Sequence, residues 1–243
     1  NSTAFTAYTN YVSNSRSLNG TMQKLATGVK GVSDDAGAVG ISENLRATLG
    51  GVVEAQKNAD GAMSILQTAD SWEQKIHDQL HRMKELAVQA SDDTKTESDL
   101  SNLQAEYSNL QDEIKRMVNT AEFNGKSLID GTLYGARVNM GGSSDANATL
   151  SIAINDASEL SLGGVTVGGG GGTLSAVLNN TNLNSVGAAA SALAGVEAAV
   201  GAVAEERASL GAQMSRLENT RSGMAAAEDN LRAAESKYRD VDM

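Results

Sequence analysis

Two histidines, His77 and His81, are the residues whose type and spacing come nearest to a chemical site. They stand four positions apart, which places both rings on one face of a helix, a spacing that can hold zinc. The motif His-Glu-x-x-His is absent, because positions 78–80 are Asp, Gln and Leu. The chain has two histidines in all and no cysteine. We therefore expect a solvated helix face here, with no metal, no cofactor and no catalytic residue.

The composition favours a structural protein over an enzyme or a nucleic-acid binder. The 243 residues carry a net charge of −11, whereas binding to phosphates needs a basic face. Aromatic residues make up only 3% of the chain, which suits narrow helices that pack side by side. No stretch reaches about 18 consecutive apolar residues, so we expect no membrane span.

Apolar residues recur three and four positions apart over long stretches, which is the period of an amphipathic helix. A first, weak helix falls within 1–33, where Ser, Thr and Asn fill the positions between the apolar residues. A second runs from about Ala36 to Ala90 and would be about 80 Å long at 1.5 Å per residue. Before the third, Thr96 and Asp99 resemble a capping box. The third helix presents an apolar seam at Leu100, Leu103, Tyr107, Leu110, Ile114 and Met117.

A fourth helical pattern occupies the end of the sequence, from about Ser185 to Met243. One apolar position repeats every seven residues, at Val196, Val203, Leu210, Leu217, Met224, Leu231 and Tyr238. A repeat of seven sustained over this length predicts a left-handed coiled coil. Between 122 and 180, Val, Ile, Leu and Thr alternate with polar residues and glycine, which predicts β-hairpins.

Together these patterns predict a mainly α protein. We expect a long antiparallel helical rod, or coiled-coil bundle, built from both chain ends, with a small central lobe rich in β-hairpins. Residues 1–33 would form an N-terminal helix, residues 34–121 and 181–243 the helical core, and residues 122–180 the lobe. The long exposed flanks of such a rod favour the stacking of copies.

Six motifs, in their order along the chain, resemble those of the bacterial flagellin family. They are Lys24-Leu25-Ala26-Thr27-Gly28, Asp34-Asp35-Ala36-Gly37, the segment 56–65, the segment Arg82–Gln89, Phe123-Asn124-Gly125, and the segment Arg207–Ala212. The resemblance implies a structural subunit of the extracellular bacterial flagellar filament, which serves motility by helical self-assembly. It places both chain termini in an inner tube, with residues 1–33 in that tube, and the variable lobe on the outside.

The resemblance also implies partners. A flagellin is secreted unfolded through the flagellar type III export apparatus with an export chaperone, which agrees with the missing cysteine and with the lack of a visible cleavable signal. The flagellin-sensing Toll-like receptor of animals, an innate immune receptor, would contact Arg82, Leu86, Gln89 and Glu106. An Arg flanked by Leu on one helical face suits a binding hot spot. Alternatively, this face contacts the next subunit in the filament.

Two departures from the family pattern qualify the expectation. The central segment is short, so only a small lobe fits. The sequence stops at 240–243, whereas flagellins usually continue for a few tens of residues in a C-terminal helix, so we expect a core fragment without that helix. The alternatives are a hook–filament junction protein, or a surface adhesin or other binding module on a flagellin scaffold. The intact 82–89 and Phe123-Asn124-Gly125 motifs favour flagellin proper.

Overall fold

The computed structural model describes residues 2–30, 35–141, 148–157 and 173–240. The helices are α1 (Ser2–Thr27), α2 (Ala36–Ala90), α3 (Glu97–Thr120), α4 (Leu174–Asn180) and α5 (Val186–Arg239). The strands are β1 (Glu122–Phe123), β2 (Lys126–Ser127), β3 (Ala136–Asn139) and β4 (Thr149–Ile152). The prediction of a mainly α protein is confirmed, because long helices pack against each other and the sheets are small and antiparallel.

The capping box before the third helix is confirmed, and it fixes where α3 begins. The Thr96 hydroxyl accepts a hydrogen bond from the Asp99 backbone N–H at 3.3 Å, and the Asp99 carboxylate accepts one from the Thr96 N–H at 3.0 Å. Each side chain thus satisfies an N–H group that the helix itself leaves without a partner. Because only six residues separate α2 from α3, the two helices fold back on each other, and Arg82 on α2 meets Glu106 on α3.

Two short hairpins follow α3. In the first, β1 pairs with β2 through a two-residue turn at Asn124 and Gly125. Both turn residues have positive φ, 51° and 73°, which is the type I′ geometry that Asn-Gly favours. In the second hairpin, β3 pairs with β4 in antiparallel register, with Ala136 opposite Ile152.

The predicted hairpins do not extend to Asn180. Residues 174–180 form helix α4, whose N-cap Thr173 accepts a hydrogen bond from the Ala176 N–H. Leu174, Val177 and Leu178 of this helix are buried. Their spacing of three and four residues is that of one buried helical face and not that of a strand. The prediction of β-hairpins was therefore wrong for residues 174–180. The predicted lobe residues at 142–147 and 158–172 lie outside the described residues.

The described residues divide into two compact units. The first comprises Asn1–Lys57, Met140–Ala148 and Arg221–Met243. Here α2 and α5 run antiparallel, since Glu43 pairs with Arg239 at 3.7 Å and Arg46 with Glu235 at 3.6 Å. Helix α1 ends at Thr27, and Gly28, which follows it, has a positive φ of 68°. Two residues later, the Lys30 N–H donates to the Arg239 carbonyl at 2.8 Å.

The second unit contains the hydrophobic core. It comprises Asn58–Asn139 and Thr149–Thr220. Its α2 and α5 segments are antiparallel, because Asp70 pairs with Arg207 at 2.8 Å and Lys84 with Glu197 at 3.0 Å. The fully buried side chains include Leu66, Ile76, Leu80, Met83, Tyr107, Ile114, Val196 and Leu210.

Helix α5 is long enough and apolar enough to cross a membrane, judged by length and composition alone. The core helix of a soluble protein meets the same criterion. Along the first turns of α5, Ala189, Ala192, Val196 and Ala199 are buried inside the second unit. Contacts within the second unit therefore cover part of the apolar surface of this helix.

Candidate assembly and recognition surfaces

Helix α1 offers a surface that the other described residues leave largely uncovered. No described residue of α1 is buried, although its apolar side chains are large. The exposed ones are Phe5, Tyr8, Tyr11, Leu18, Met22 and Leu25. An apolar surface of this extent marks an interaction site.

The polar residues of α1 add little to the stability of the helix. The hydroxyls of Thr6, Thr9, Thr21 and Thr27 donate back to carbonyls four residues earlier, at 2.8–3.1 Å. Such back-bonding slightly destabilises a helix. Stability for α1 must therefore come from packing against another surface.

Four of the six residues predicted for the apolar seam of α3 lie in the core. Leu100, Tyr107, Ile114 and Met117 are buried, whereas Leu103 and Leu110 are half-buried. The seven-residue repeat of α5 divides along its length. Its members Val196, Val203, Leu210, Leu217 and Met224 are buried, Leu231 is half-buried and Tyr238 is exposed.

Arg82 is the centre of an ordered surface cluster on α2 and α3. Its guanidinium donates to Glu106 from Nε at 2.8 Å and to Glu85 from Nη1 at 2.8 Å. The side chains of Arg82 and Glu106 are 44% and 46% exposed. The hydrogen bonds that Arg82 donates to Glu85 and then to Glu106 raise the pKa of Arg82. The cluster therefore presents a fixed positive fork between two carboxylates at the surface.

The other two residues predicted for receptor contact differ from each other. Gln89 is exposed one turn along α2 from the Arg82 cluster. Leu86 is 0% exposed and packs into the core, while Val88, two residues later, is 52% exposed. Leu86 thus supports the surface from beneath, and its side chain offers no area to a partner in this fold.

Sequence reasoning missed a buried acidic cluster between α2 and α5 in the second unit. Glu73 is 2% exposed, and neither carboxylate oxygen has a hydrogen-bond partner among the residues that the structure describes. Burial, followed by the charges of Glu206 and Asp70, raises the pKa of Glu73 to about 8, against the lowering effect of Arg207. The signal in the sequence was the gap in the apolar stripe of α2 between Ala69 and Ile76, which Glu73 fills.

A second missed network holds α4 onto α3. The Tyr107 hydroxyl and the Thr181 hydroxyl are 2.8 Å apart, and Gln111 Nε2 donates to the carbonyls of Val177 and Thr181 at 3.2 Å. Burial raises the pKa of Tyr107 to about 12. The two hydroxyls and the Gln111 amide nitrogen all have partners here, so the network specifies how the two helices meet.

Comparison with known proteins extends these observations. The family model for the bacterial flagellin N-terminal helical region matches residues 1–133, and that for the C-terminal helical region matches residues 193–243. A flagellin of Halalkalibacterium halodurans is 35% identical over 226 residues, which cover 91% of this chain and 77% of the relative.

A solved flagellin structure agrees with this relationship, and a second solved structure shares the fold. The crystal structure of Bacillus cereus flagellin aligns with a TM-score of 0.56 at 29% identity, covering 69% of this chain and 88% of that one. A putative flagellar hook-associated protein from Vibrio parahaemolyticus aligns with a TM-score of 0.69 over 85% of this chain and 100% of that one. Its identity is 16%, so it shows the fold alone. From the two terminal helical regions and the shared fold, we conclude that the chain belongs to the bacterial flagellins, the structural proteins that self-assemble into the extracellular flagellar filament of motile bacteria.

Proposed function

We propose that the chain joins the filament through its terminal helical regions, with α1 as the surface that binds neighbouring subunits. The observation that supports this most strongly is that no described residue of α1 is buried. Covering its exposed apolar residues would contribute about 25 cal/mol of free energy per Å² of apolar area removed from water. A contact between different faces of identical subunits generates a helical fibre where the rotation between them does not close into a ring.

Sedimentation velocity of two α1 variants tests this role. Leu18→Ser/Met22→Ser removes two exposed apolar side chains, and Asn14→Ser/Asn19→Ser changes two exposed polar ones in the same helix. We expect the first to lower self-association at least tenfold and the second to leave it unchanged. Equal association of both variants would contradict the proposal.

A second proposal concerns the flagellin-sensing Toll-like receptor. We propose that the monomer is recognised at Arg82, Gln89 and Glu106, with Leu86 holding the helix in place beneath them. The support is the ordered guanidinium, already held by two carboxylates while nearly half exposed. A fixed side chain loses less conformational entropy on binding. The rival role for this face is contact with the next subunit in the filament.

A matched pair of arginines separates receptor contact from general surface charge. Arg116 on α3 is 57% exposed and pairs with Glu113, three residues away, as Arg82 does with Glu85. We expect Arg82→Ala to lower receptor activation at least tenfold with an unchanged unfolding temperature, and Arg116→Ala to do neither. Full activation by Arg82→Ala would overturn the receptor proposal and leave the subunit contact as the role of this face.

We also propose secretion in an unfolded state through the flagellar type III apparatus, with an export chaperone. The absence of cysteine supports this, since no disulfide has to open before passage. We expect the chain in the culture medium of an export-competent strain and not in that of a strain lacking the apparatus. Equal secretion by both strains would contradict this route.

The hook–filament junction remains the alternative within the fold, because a hook-associated protein shares it. Complementation distinguishes the two roles. A filament subunit should restore long filaments to a strain that lacks its own flagellin. A junction protein should leave that strain without filaments.

A further inference from the structure

His77 and His81 on α2 lie against each other, and His81 lines the same surface groove as Glu85 and Gln89. Their ring centroids are 4.5 Å apart with an interplanar angle of 70°. His77 is half-buried and His81 is exposed. The sequence predicted a solvated face without metal at this point, and the arrangement of the two rings gives reason to revise that expectation.

The separation suits two imidazoles on one metal ion. With metal–nitrogen bonds of about 2.0 Å, two rings in adjacent coordination positions have centroids about 4.5–5 Å apart. Because His81 is exposed, its ring can turn toward an ion without moving the core. No third His, Asp or Glu completes a metal-binding group anywhere in the described residues. An ion held here would keep open positions for water and would exchange with solvent.

The chemistry of the pair selects the kind of ion. Neutral imidazole suits Zn²⁺, Cu²⁺ and Ni²⁺, whereas Mg²⁺ and Ca²⁺ prefer oxygen ligands.

We propose that His77 and His81 form a two-histidine chelate on the surface of α2 that binds one divalent transition-metal ion per chain, with Cu²⁺ bound most tightly. Two ligands on adjacent turns of a rigid helix are already in position, so they bind one ion more tightly than two separate histidines would. The order of affinity should follow the general preference of nitrogen ligands, with Cu²⁺ above Ni²⁺ and Zn²⁺.

Calorimetric titration of the chain with CuCl₂ and NiCl₂ at pH 7.5, in a buffer that does not bind metal, tests the proposal. We expect one equivalent bound per chain, and at least tenfold weaker binding after either His77→Gln or His81→Gln. The sharpest control is His81→Gln/Gln79→His, which keeps two histidines but sets them two residues apart, on opposite sides of the helix. This variant should bind as weakly as the single variants.

Two results would overturn the chelate. One is unchanged affinity in the control with the altered spacing, because carboxylates or independent histidines would then be the ligands. The other is a loss of only half the bound metal in each single variant. The helical circular dichroism of every variant should match that of the parent chain, and Ni²⁺ should raise the unfolding temperature of the parent but not of His81→Gln.

Discussion

Glu73 of α2 and Glu206 of α5 lie buried at one helix interface, 2% and 7% exposed, close enough for the charge of Glu206 to raise the pKa of Glu73. The two carboxyls differ in what surrounds them. Glu206 accepts hydrogen bonds from the backbone N–H of Asn155 at 3.1 Å and from the side-chain amide of Asn155 at 2.5 Å. The Glu73 carboxyl has no hydrogen-bond partner in the described part of the chain. The neutral, protonated form of Glu73 is therefore the one that suits the folded chain.

The stability of the second unit should fall as the pH rises from about 4.5 to about 8. The pKa of Glu73 is about 8 in the folded chain against 4.5 as its ordinary value, so the folded state holds this proton more tightly. The stabilisation is complete below pH 4.5 and is lost as the pH rises through 8. Each pKa unit corresponds to about 1.4 kcal/mol, so the total is on the order of a few kcal/mol.

Urea unfolding of Glu73→Gln between pH 5 and 9 measures this contribution. The variant cannot ionise at this position, so its stability relative to the parent should increase toward pH 9. Glu205→Gln is the matched control, because Glu205 is the exposed neighbour of Glu206 and its substitution should leave the slope unchanged. Parallel curves for the parent and Glu73→Gln would show that Glu73 is already ionised in the folded state.

Arg207→Met should destabilise the same interface at neutral pH. Arg207 donates to Asp70 at 2.8 Å, and its charge lowers the pKa of Glu73. The pair is partly buried, so we expect a loss of roughly 1–3 kcal/mol in the free energy of unfolding. Arg207→Lys should recover part of it. A loss no larger than that of Arg116→Met, at an exposed pair, would contradict a structural role for Arg207.

Leu86→Ala should cost about 2–5 kcal/mol of unfolding free energy, because it opens a cavity in the core. Val88→Ala, at an exposed site two residues away, should change it by less than about 0.5 kcal/mol. Thermal and urea unfolding measure both. If Leu86→Ala left stability unchanged, the side chain would not be packed as described, and a direct contact with a partner would become the better account of its role.

Tyr107→Phe should cost about 1 kcal/mol of unfolding free energy, since it removes the hydroxyl bonded to Thr181. Gln111 still donates to the Thr181 hydroxyl at 3.1 Å, so the loss should stay moderate. Hydrogen exchange should report it locally, with faster exchange in α4. Uniformly faster exchange throughout the second unit would show that the network stabilises more than the contact between α3 and α4.

The elements with a strong local signal were predictable from the sequence. Helix α2 begins at Ala36 and ends at Ala90 as the apolar period indicated, because breakers flank it. The capping box at Thr96 needs only residues three positions apart, and it formed as predicted. The Asn124–Gly125 turn likewise depends on backbone preferences of two residues.

The features that failed depend on tertiary packing. Helix α4 is seven residues long. Over so short a segment, the helical spacing of its apolar residues is a weaker signal than the strand-like alternation that precedes it. Leu86 was assigned to the receptor surface because the family resemblance implied that role, but its position one turn from Met83 and Ala90, both buried, places it in the core. The gap in the apolar stripe of α2 marks the position of Glu73. Whether its carboxyl finds a hydrogen-bond partner depends on the residues of α5 that lie opposite it, and the sequence of α2 does not contain that information.

The most direct test of the central claim is electron microscopy of negatively stained assembly reactions. The samples are this chain, the chain extended by a flagellin-type C-terminal helix, and the extended chain carrying Leu18→Ser/Met22→Ser. If the apolar surface of α1 joins subunits, the extended chain forms filaments and its α1 variant does not, while both remain folded by circular dichroism. Filaments of equal number and length from the α1 variant would show that the subunits are joined elsewhere.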